Sequence, residues 1–360
     1  MKIGILTFHC ADNYGAVLQA YGLQKYLSNL GHEVYIINYK PKYLTTPYRP
    51  FRYETPKGGI FIKLKYTLRN ILITPIRLKR SIAFRKFRKA FLNCIDFDFN
   101  NAKNDLDIFV FGSDQIWNPQ ITNGFDRIFL GDFPAIRGKK AISYAASAGS
   151  VANINEISDR KYIQKQLSNF YAIGVREESL LKVLARTPCS LTIDPVLLAG
   201  KDVFLNIANH RINGRYLLLF QLYHDYKVED IALKIAKEKG LPVVKINSSS
   251  ESLKDKGIIS NASPELFLSY LKNASYIVTS SFHGVAFSIL FERNFTSVCL
   301  NPTSGERVYN LLQHLGLQNR IVTLSTQTYE TNDIDYHAVN KLYETFRDES
   351  KHFIYTAING

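Results

Sequence analysis

The chain has 360 residues, 46% hydrophobic and 13% aromatic, which is enough for two domains with sizeable cores at roughly 100–200 residues each. No stretch approaches the ~20 apolar residues of a membrane span, and the start, MKIGILTFHCADNYGA, does not read as a secretory signal. The net charge of +14 is local: residues 40–92 hold 15 Lys or Arg against one acid, Glu54, and the remaining residues balance at 30 and 30. Cys10, Cys94, Cys189 and Cys299 lie far apart with no CxxC pair, which excludes a disulfide framework or a cysteine zinc site. The expectation is a soluble cytoplasmic protein with reduced thiols and one strongly basic surface.

Residues 3–8 (IGILTF) predict a buried strand. A helix over 15–30 follows, with Ala16, Ala20, Leu23, Leu27 and Leu30 on one face. Gly31 closes it and 34–37 form the next strand. Between the first strand and helix lies Asp12-Asn13-Tyr14-Gly15-Ala16. Its small residues let a backbone approach a ligand, and a helix N-terminus favours an anion there. A plain capped turn, with Asn13 as the cap, accounts for the same residues. It is not GxGxxG, so a dinucleotide is not indicated.

The basic stretch 40–92 interrupts this rhythm and reads as helical from about 61 to 92. In 75–91, Ile76, Ala83, Phe87 and Ala90 or Phe91 fall near helical spacing among Arg and Lys. That is the pattern of a basic amphipathic helix for an anionic membrane surface, and a solvated helix face fits it too. Nucleic acid is not expected, since no helix-turn-helix or stacking platform is visible.

Strands at 107–111, 141–145, 171–175 and 190–193 resume the alternation, with helices near 156–169 and 178–186. After 107–111 comes Gly112-Ser113-Asp114-Gln115-Ile116-Trp117-Asn118-Pro119. A carboxylate, an amide pair and the single Trp suit a polyhydroxylated ligand, with the indole against an apolar sugar face; a cap and turn before Pro119 is the alternative. The tiny residues of Ser143 to Ser150 leave room for a ligand or for close packing. Arg176 ends the 171–175 strand and suits a carboxylate or phosphate, unless it pairs with Glu177 or Glu178.

Asp194-Pro195 reads as a domain boundary. A second alternating set follows: strands 216–220, 242–246, 275–279 and 296–300, and helices 227–238, 263–272, 284–292 and 305–315. Residues 336–352 form a final polar helix. The domains are therefore 1–194, with the basic insertion, 195–330, and a terminal segment 331–360 that packs back on the first. Ser280-Ser281-Phe282-His283-Gly284 places two hydroxyls and an imidazole where strand 275–279 hands over to a helix, the edge at which α/β proteins bind ligands. Arg307 opens the 305–315 helix after a Pro/Ser/Gly loop. No metal site is expected, because no HExxH or His-rich cluster appears and Asp96-Phe97-Asp98, which has DxD spacing, lies in a Phe-rich segment beside the basic stretch.

NYGA, GSDQIWNP, VREES and SSFHG, in this order and at strand ends, resemble the polysaccharide pyruvyl transferase family over residues 1 to about 320. The resemblance implies an α/β fold of two Rossmann-like domains facing across a cleft, like GT-B glycosyltransferases. It implies transfer of an enolpyruvyl unit from phosphoenolpyruvate, a co-substrate and not a cofactor, to a sugar of a surface polysaccharide or its polyprenyl-diphosphate-linked precursor. It further implies His283 as the catalytic acid or base, donor binding by Arg176, Ser280, Ser281 and Arg307, and acceptor binding by Asn13, Gly15, Ser113, Asp114, Gln115 and Asn118. The enzyme would then be peripheral at the inner face of the membrane. One departure is Ser281, which stands where some members carry an arginine. The alternatives are a glycosyltransferase using a nucleotide sugar, and a sugar- or lipid-binding protein without activity.

Overall fold

The computed structural model describes residues 1–52, 59–101, 103–150, 152, 154, 157–184, 189–248, 257–300, 302–326 and 328–360. Glu54, Lys57, residue 156 and the last two residues of the predicted helix 178–186 lie outside them. Two wholly parallel sheets carry the fold. The first runs in the order β3-β2-β1-β4-β5-β6-β7, from β1 Lys2–Leu6, β2 Glu33–Ile37, β3 Cys94–Ile95, β4 Ile108–Phe111, β5 Lys140–Ala146, β6 Ala172–Val175 and β7 Cys189–Leu191. The second is ordered β10-β9-β8-β11-β12-β13, from β8 Leu217–Gln221, β9 Val243–Asn247, β10 Ile258–Ile259, β11 Tyr276–Thr279, β12 Phe295–Cys299 and β13 Ile321–Thr323.

Strand β1 sits between β2 and β4, with Ile3 in register with Val34 and Ile108. Helices cover both faces of such a strand, which is why IGIL is continuously apolar rather than alternating. The same holds for the IFVF and YIVT runs of β4 and β11, buried throughout. Each sheet reverses direction of growth beside its first strand, so the carboxyl ends of β1, β4 and β5 face those of β8, β11 and β12 across one cleft. The edge strands β3, β10 and β13, of two or three residues, are absent from the predicted set, whereas the equally short edge strand β7 is predicted at 190–193.

The terminal helix, Tyr336–Asn359, docks on the first domain. Tyr343 Oη donates to Leu197 O at 2.6 Å, Ser350 Oγ accepts from Ile193 N at 2.9 Å, and Lys140 Nζ donates to Ile358 O at 3.0 Å.

The basic stretch forms one helix, Ile60–Phe91, that runs through Pro75. Its buried face is offset from the predicted one: Ile73, Arg77, Arg80, Phe84 and Phe87 are inside, whereas Ile76 is exposed. The guanidiniums are buried because the cleft supplies acceptors. Arg80 Nη1 donates to Tyr14 Oη at 3.1 Å and to Ser260 O at 3.0 Å, and Nη2 donates to Asp12 O at 2.8 Å. Its guanidinium also lies 4.6 Å from the Tyr14 ring centroid. The insertion therefore closes over the joint between the domains. Among the described residues no helix is long and apolar enough to cross a membrane.

Candidate active site

The helix Phe282–Leu290 is capped by Ser281, whose Oγ accepts from Gly284 N at 3.5 Å. On the opposite wall the helix Tyr14–Asn29 is capped by Asn13, whose Oδ1 accepts from Ala16 N at 3.2 Å. The two N-termini meet directly. A Cβ placed on Gly15 would lie 2.0 Å from His283 Nδ1 and 2.5 Å from its Cγ. Gly15 is thus the seat of the imidazole: the absence of a side chain lets His283 cross between domains. Tyr14, the neighbour of Gly15, stacks on Phe267 of the second domain with ring centroids 4.1 Å apart and donates to Ala262 O at 2.9 Å.

Between these walls lies a cavity of about 140 Å³. Its polar lining comes from Asn13, Tyr48, Asp114, Gln115, Ser281, His283 and Arg307. So Asn13, Asp114, Gln115, Ser281, His283 and Arg307 converge from both domains, as predicted from sequence. Asp114 adopts φ +79°, and Gly149 behind it leaves space that Gln115 Oε1 occupies, 2.2 Å from where a Cβ would sit.

Other predicted residues serve the scaffold. Ser113 is buried and touches Arg176 Nη2 and Asp194, so it positions Arg176 rather than meeting an acceptor. Asn118 caps a short helix through Gln120 N at 3.0 Å and donates to Gln115 Oε1 at 2.7 Å, which fixes the Gln115 amide. Trp117 is fully buried and donates from Nε1 to Phe129 O at 3.0 Å; as a core residue it offers no face to a sugar. Ser280 lines a larger cleft of about 730 Å³ at the edge of the second sheet, which shares Leu222, Phe282 and Arg307 with the smaller cavity. The helix predicted from residue 305 begins at Pro302, which puts Arg307 in its second turn rather than at its start.

Arg176 pairs with Asp194, Nη2 to Oδ2 at 2.9 Å, and not with Glu177 or Glu178. Both partners are almost wholly buried, and Arg176 Nε and Nη1 find no acceptor among the described residues. Arg176 and Arg307 both lie over the Phe282 ring, at 4.9 and 5.5 Å from its centroid. Arg307 lines the 140 Å³ cavity and Arg176 does not, while both line a small hollow beside Phe282. Desolvation and the neighbouring Arg176 lower the pKa of Arg307, so bringing an anion to this pair relieves repulsion. Glu177 is buried beside them with its pKa raised by desolvation; its Oε1 accepts from Gly149 N at 3.2 Å.

His283 is held neutral. Burial, then the charges of Arg176 and Arg307, push its pKa down to about 3, with Asp114 opposing. Its Nε2 is 3.7 Å from Asp194 Oδ2, too long for a hydrogen bond, and has no partner among the described residues. The imidazole is neutral with a free edge, and it becomes a stronger proton acceptor once a bound anion offsets the charges of Arg176 and Arg307 that hold its pKa down. Asp194 went unrecognised in the sequence because Asp-Pro reads as a boundary. It is one: its Oδ1 caps the connecting helix Pro195–Ala199 through Val196 N at 2.9 Å, while Oδ2 serves the site. Among the described residues no group of three or more His, Cys, Asp or Glu could hold a metal.

Comparison with known proteins adds the following. The family model for polysaccharide pyruvyl transferase matches residues 13–298. The curated proteins contain no match by sequence. Among solved structures, the Methanocaldococcus jannaschii UDP-GlcNAc 2-epimerase complex with UDP-GlcNAc and UDP is similar at 12% identity and TM-score 0.45, over 97% of this chain and 93% of that one. The S. aureus MnaA-UDP structure is similar at 10% identity and TM-score 0.47, over 98% and 92%. For the spinosyn forosaminyltransferase SpnP the values are 11% and 0.39, over 98% and 95%.

Proposed function

We propose that this enzyme, which belongs to the polysaccharide pyruvyl transferase family, forms a pyruvate ketal on a sugar, taking phosphoenolpyruvate as donor and releasing phosphate. The observation that carries the reading is the cavity in which Arg307, Ser281 and His283 of the second domain face Asn13, Asp114 and Gln115 of the first. The donor bears a carboxylate and a phosphate. Arg307, Ser281 and the free N–H groups opening the helix Phe282–Leu290 are suited to hold them, with Arg176 adding positive potential from behind Phe282. Asp114, Gln115 and Asn13 suit the hydroxyls of a sugar.

In the reaction the first hydroxyl adds across the donor's double bond, its proton ending on the methylene carbon and its oxygen on the adjacent carbon. Phosphate then leaves with the C–O bond electrons, and a second hydroxyl closes the ketal, its proton leaving with the phosphate. His283, neutral at physiological pH, takes the proton of an attacking hydroxyl.

The basic helix supports an acceptor presented at a bilayer, such as a polyprenyl-diphosphate-linked sugar. Its outward face exposes Phe61 (83%), Leu64, Leu68, Ile71 and Leu72 among exposed Lys63, Lys65, Arg69 and Lys79. Large apolar side chains in water are unfavourable, and in a basic setting they suit shallow insertion into an anionic cytoplasmic leaflet.

The test is phosphate release from phosphoenolpyruvate with a panel of lipid-linked and synthetic glycosides, wild type beside His283→Ala. Acceptor-dependent release lost in the variant supports the reading. No release with any acceptor, with thermal stabilisation by a nucleotide sugar and none by phosphoenolpyruvate, replaces it with glycosyl transfer.

A further inference from the structure

One polar side chain of the catalytic cavity holds neither donor nor sugar: Tyr48, from the turn Thr46–Tyr48 of the basic insertion. We infer that the Tyr48 phenol is the acid that delivers a proton to the methylene carbon of the donor. This role rests on the reaction proposed above.

Tyr48 stands on the wall that faces the donor. The carboxylate and the phosphate of phosphoenolpyruvate both branch from the carbon next to the methylene. With both arms held by Arg307, Ser281 and the opening of the helix Phe282–Leu290, all in the second domain, the methylene points across the cavity. The polar residues on the far side are Asn13, Tyr48, Asp114 and Gln115. Asn13 and Gln115 carry amides, which do not ionise, and Asp114 Oδ1 serves as an acceptor, from Gln115 N at 2.9 Å. Among the described residues of that wall the phenol is the one O–H acid.

Its hydrogen bonding leaves the proton available. Asn13 Oδ1 accepts from Ala16 N at 3.2 Å as the cap of the helix Tyr14–Asn29, so the other end of that amide, Nδ2, is what bonds the Tyr48 oxygen. The phenol oxygen accepts there, and its own O–H remains for a ligand. The turn that carries it is pinned. Arg49 N donates to Thr46 O at 3.2 Å, Arg52 Nη2 to Pro47 O at 2.8 Å, and Thr74 Oγ1 of the long helix to Pro50 O at 3.4 Å. The ring packs against the apolar cluster of the first domain. An acid is effective when its position is fixed in this way.

The surroundings suit an acid that is protonated at rest. Burial, then Tyr223 of the second domain, raise the pKa of Tyr48 to about 12; Asn13 and Arg80 oppose them, and Asp114 adds to them. Arg80, on the inner face of the long helix, thus favours the phenolate that a transfer leaves behind.

The protons balance. Tyr48 gives its O–H proton to the methylene carbon, the electrons of the double bond forming the new C–H bond. A lone pair of the sugar oxygen bonds to the adjacent carbon, and His283 takes the hydroxyl proton. The imidazolium then restores the phenol. Counted over these steps, one hydroxyl has added across the double bond, and phosphate leaves with the C–O bond electrons as before.

Phosphate release at saturating phosphoenolpyruvate and glycoside tests the role in wild type, in Tyr48→Phe and in a form in which 3,5-difluorotyrosine replaces Tyr48. Tyr48→Phe removes one oxygen and keeps the ring. It is expected to lower kcat by about 10²–10⁴-fold, with the KM of phosphoenolpyruvate and the melting shift it produces unchanged. The fluorinated phenol is close in size and more acidic. It should retain turnover and bring the alkaline limb of the kcat profile down from about 12 toward the range of ordinary buffers, which a merely structural ring would not do. Equal turnover in Tyr48→Phe and wild type overturns the inference, and so does a fluorinated enzyme whose pH profile superimposes on that of wild type. Loss of the phosphoenolpyruvate melting shift along with turnover would make the phenol a donor ligand only, and also overturns it. An active wild type beside an equally active Tyr48→Phe leaves the proposed reaction standing and removes only Tyr48 from it. Wild type that releases no phosphate with any acceptor refutes the reaction and this role with it.

Discussion

Replacing Gly15 by alanine is expected to disable the enzyme through His283. The added methyl lies 2.0 Å from Nδ1, whereas ordinary contact begins near 3.4 Å, so the imidazole must retreat by more than an ångström. Misplacing a reacting group by about 1 Å costs about 10²-fold in rate. Overpacking costs about 1–3 kcal/mol, offset by up to ~1 kcal/mol from the better helix propensity of alanine, so stability should fall by about 0–2 kcal/mol. Activity is read as phosphate release from phosphoenolpyruvate at saturating glycoside, and stability as urea denaturation. A double-mutant cycle isolates the contact. In a His283→Ala background the methyl enters vacated space, so Gly15→Ala should there be neutral or stabilising. Activity within twofold of wild type, or equal destabilisation in both backgrounds, would refute the contact as the basis of the site.

The remaining predictions concern charge and the membrane. Because His283 titrates near 3 when folded, against about 6.5 unfolded, the unfolded chain binds more protons between those values. Stability should therefore decline as pH falls from about 6.5 toward 3; His9, pushed by burial down to about 4, adds a term of the same sign. His283→Gln should flatten part of that decline in a melting-temperature series, and an unaltered slope would argue against a neutral buried imidazole. His283→Ala should lower turnover about 10²–10⁴-fold, with the melting shift from phosphoenolpyruvate retained. Asp194→Asn strands Arg176 as a buried unpaired cation and should cost about 3–5 kcal/mol in chemical denaturation. Phe61→Ser/Leu68→Ser should abolish cosedimentation with phosphatidylserine vesicles and leave turnover on a soluble glycoside unchanged; equal sedimentation of variant and wild type would count against the outer helix face as the contact.

The alternation of apolar strands and helices made both sheets legible, and parallel topology then fixed that NYGA, GSDQ and SSFHG share one cleft. What each residue does inside that cleft was less legible. Trp117 and Asn118 have the chemistry of ligand contacts, yet the fold spends them on the core and on a cap; composition does not show which way a side chain points. Gly15 carried a signal for close approach, but the approaching group is a histidine 268 positions away in sequence rather than a ligand. Arg80 belongs to a stretch that reads as a basic face for a membrane surface or for solvent, and the carbonyls of Ser260 and Asp12, one from each domain, make its burial tolerable. Asp194 was hidden because one residue is both the joint between domains and the partner of Arg176.

The return of the terminal helix to the first domain sets the order in which the protein can be made. Residues 336–359 cover β5 and the connector near Leu197, so the first sheet is left with an open face while the whole second domain is synthesised. At about 5–20 residues per second, the interval from residue 194 to the end of that helix is roughly 8–33 s. Until that helix arrives, the surface around Ile193 and Leu197 lacks the cover it has in the folded protein. Shortening the carboxyl end would consequently injure the amino-terminal half first.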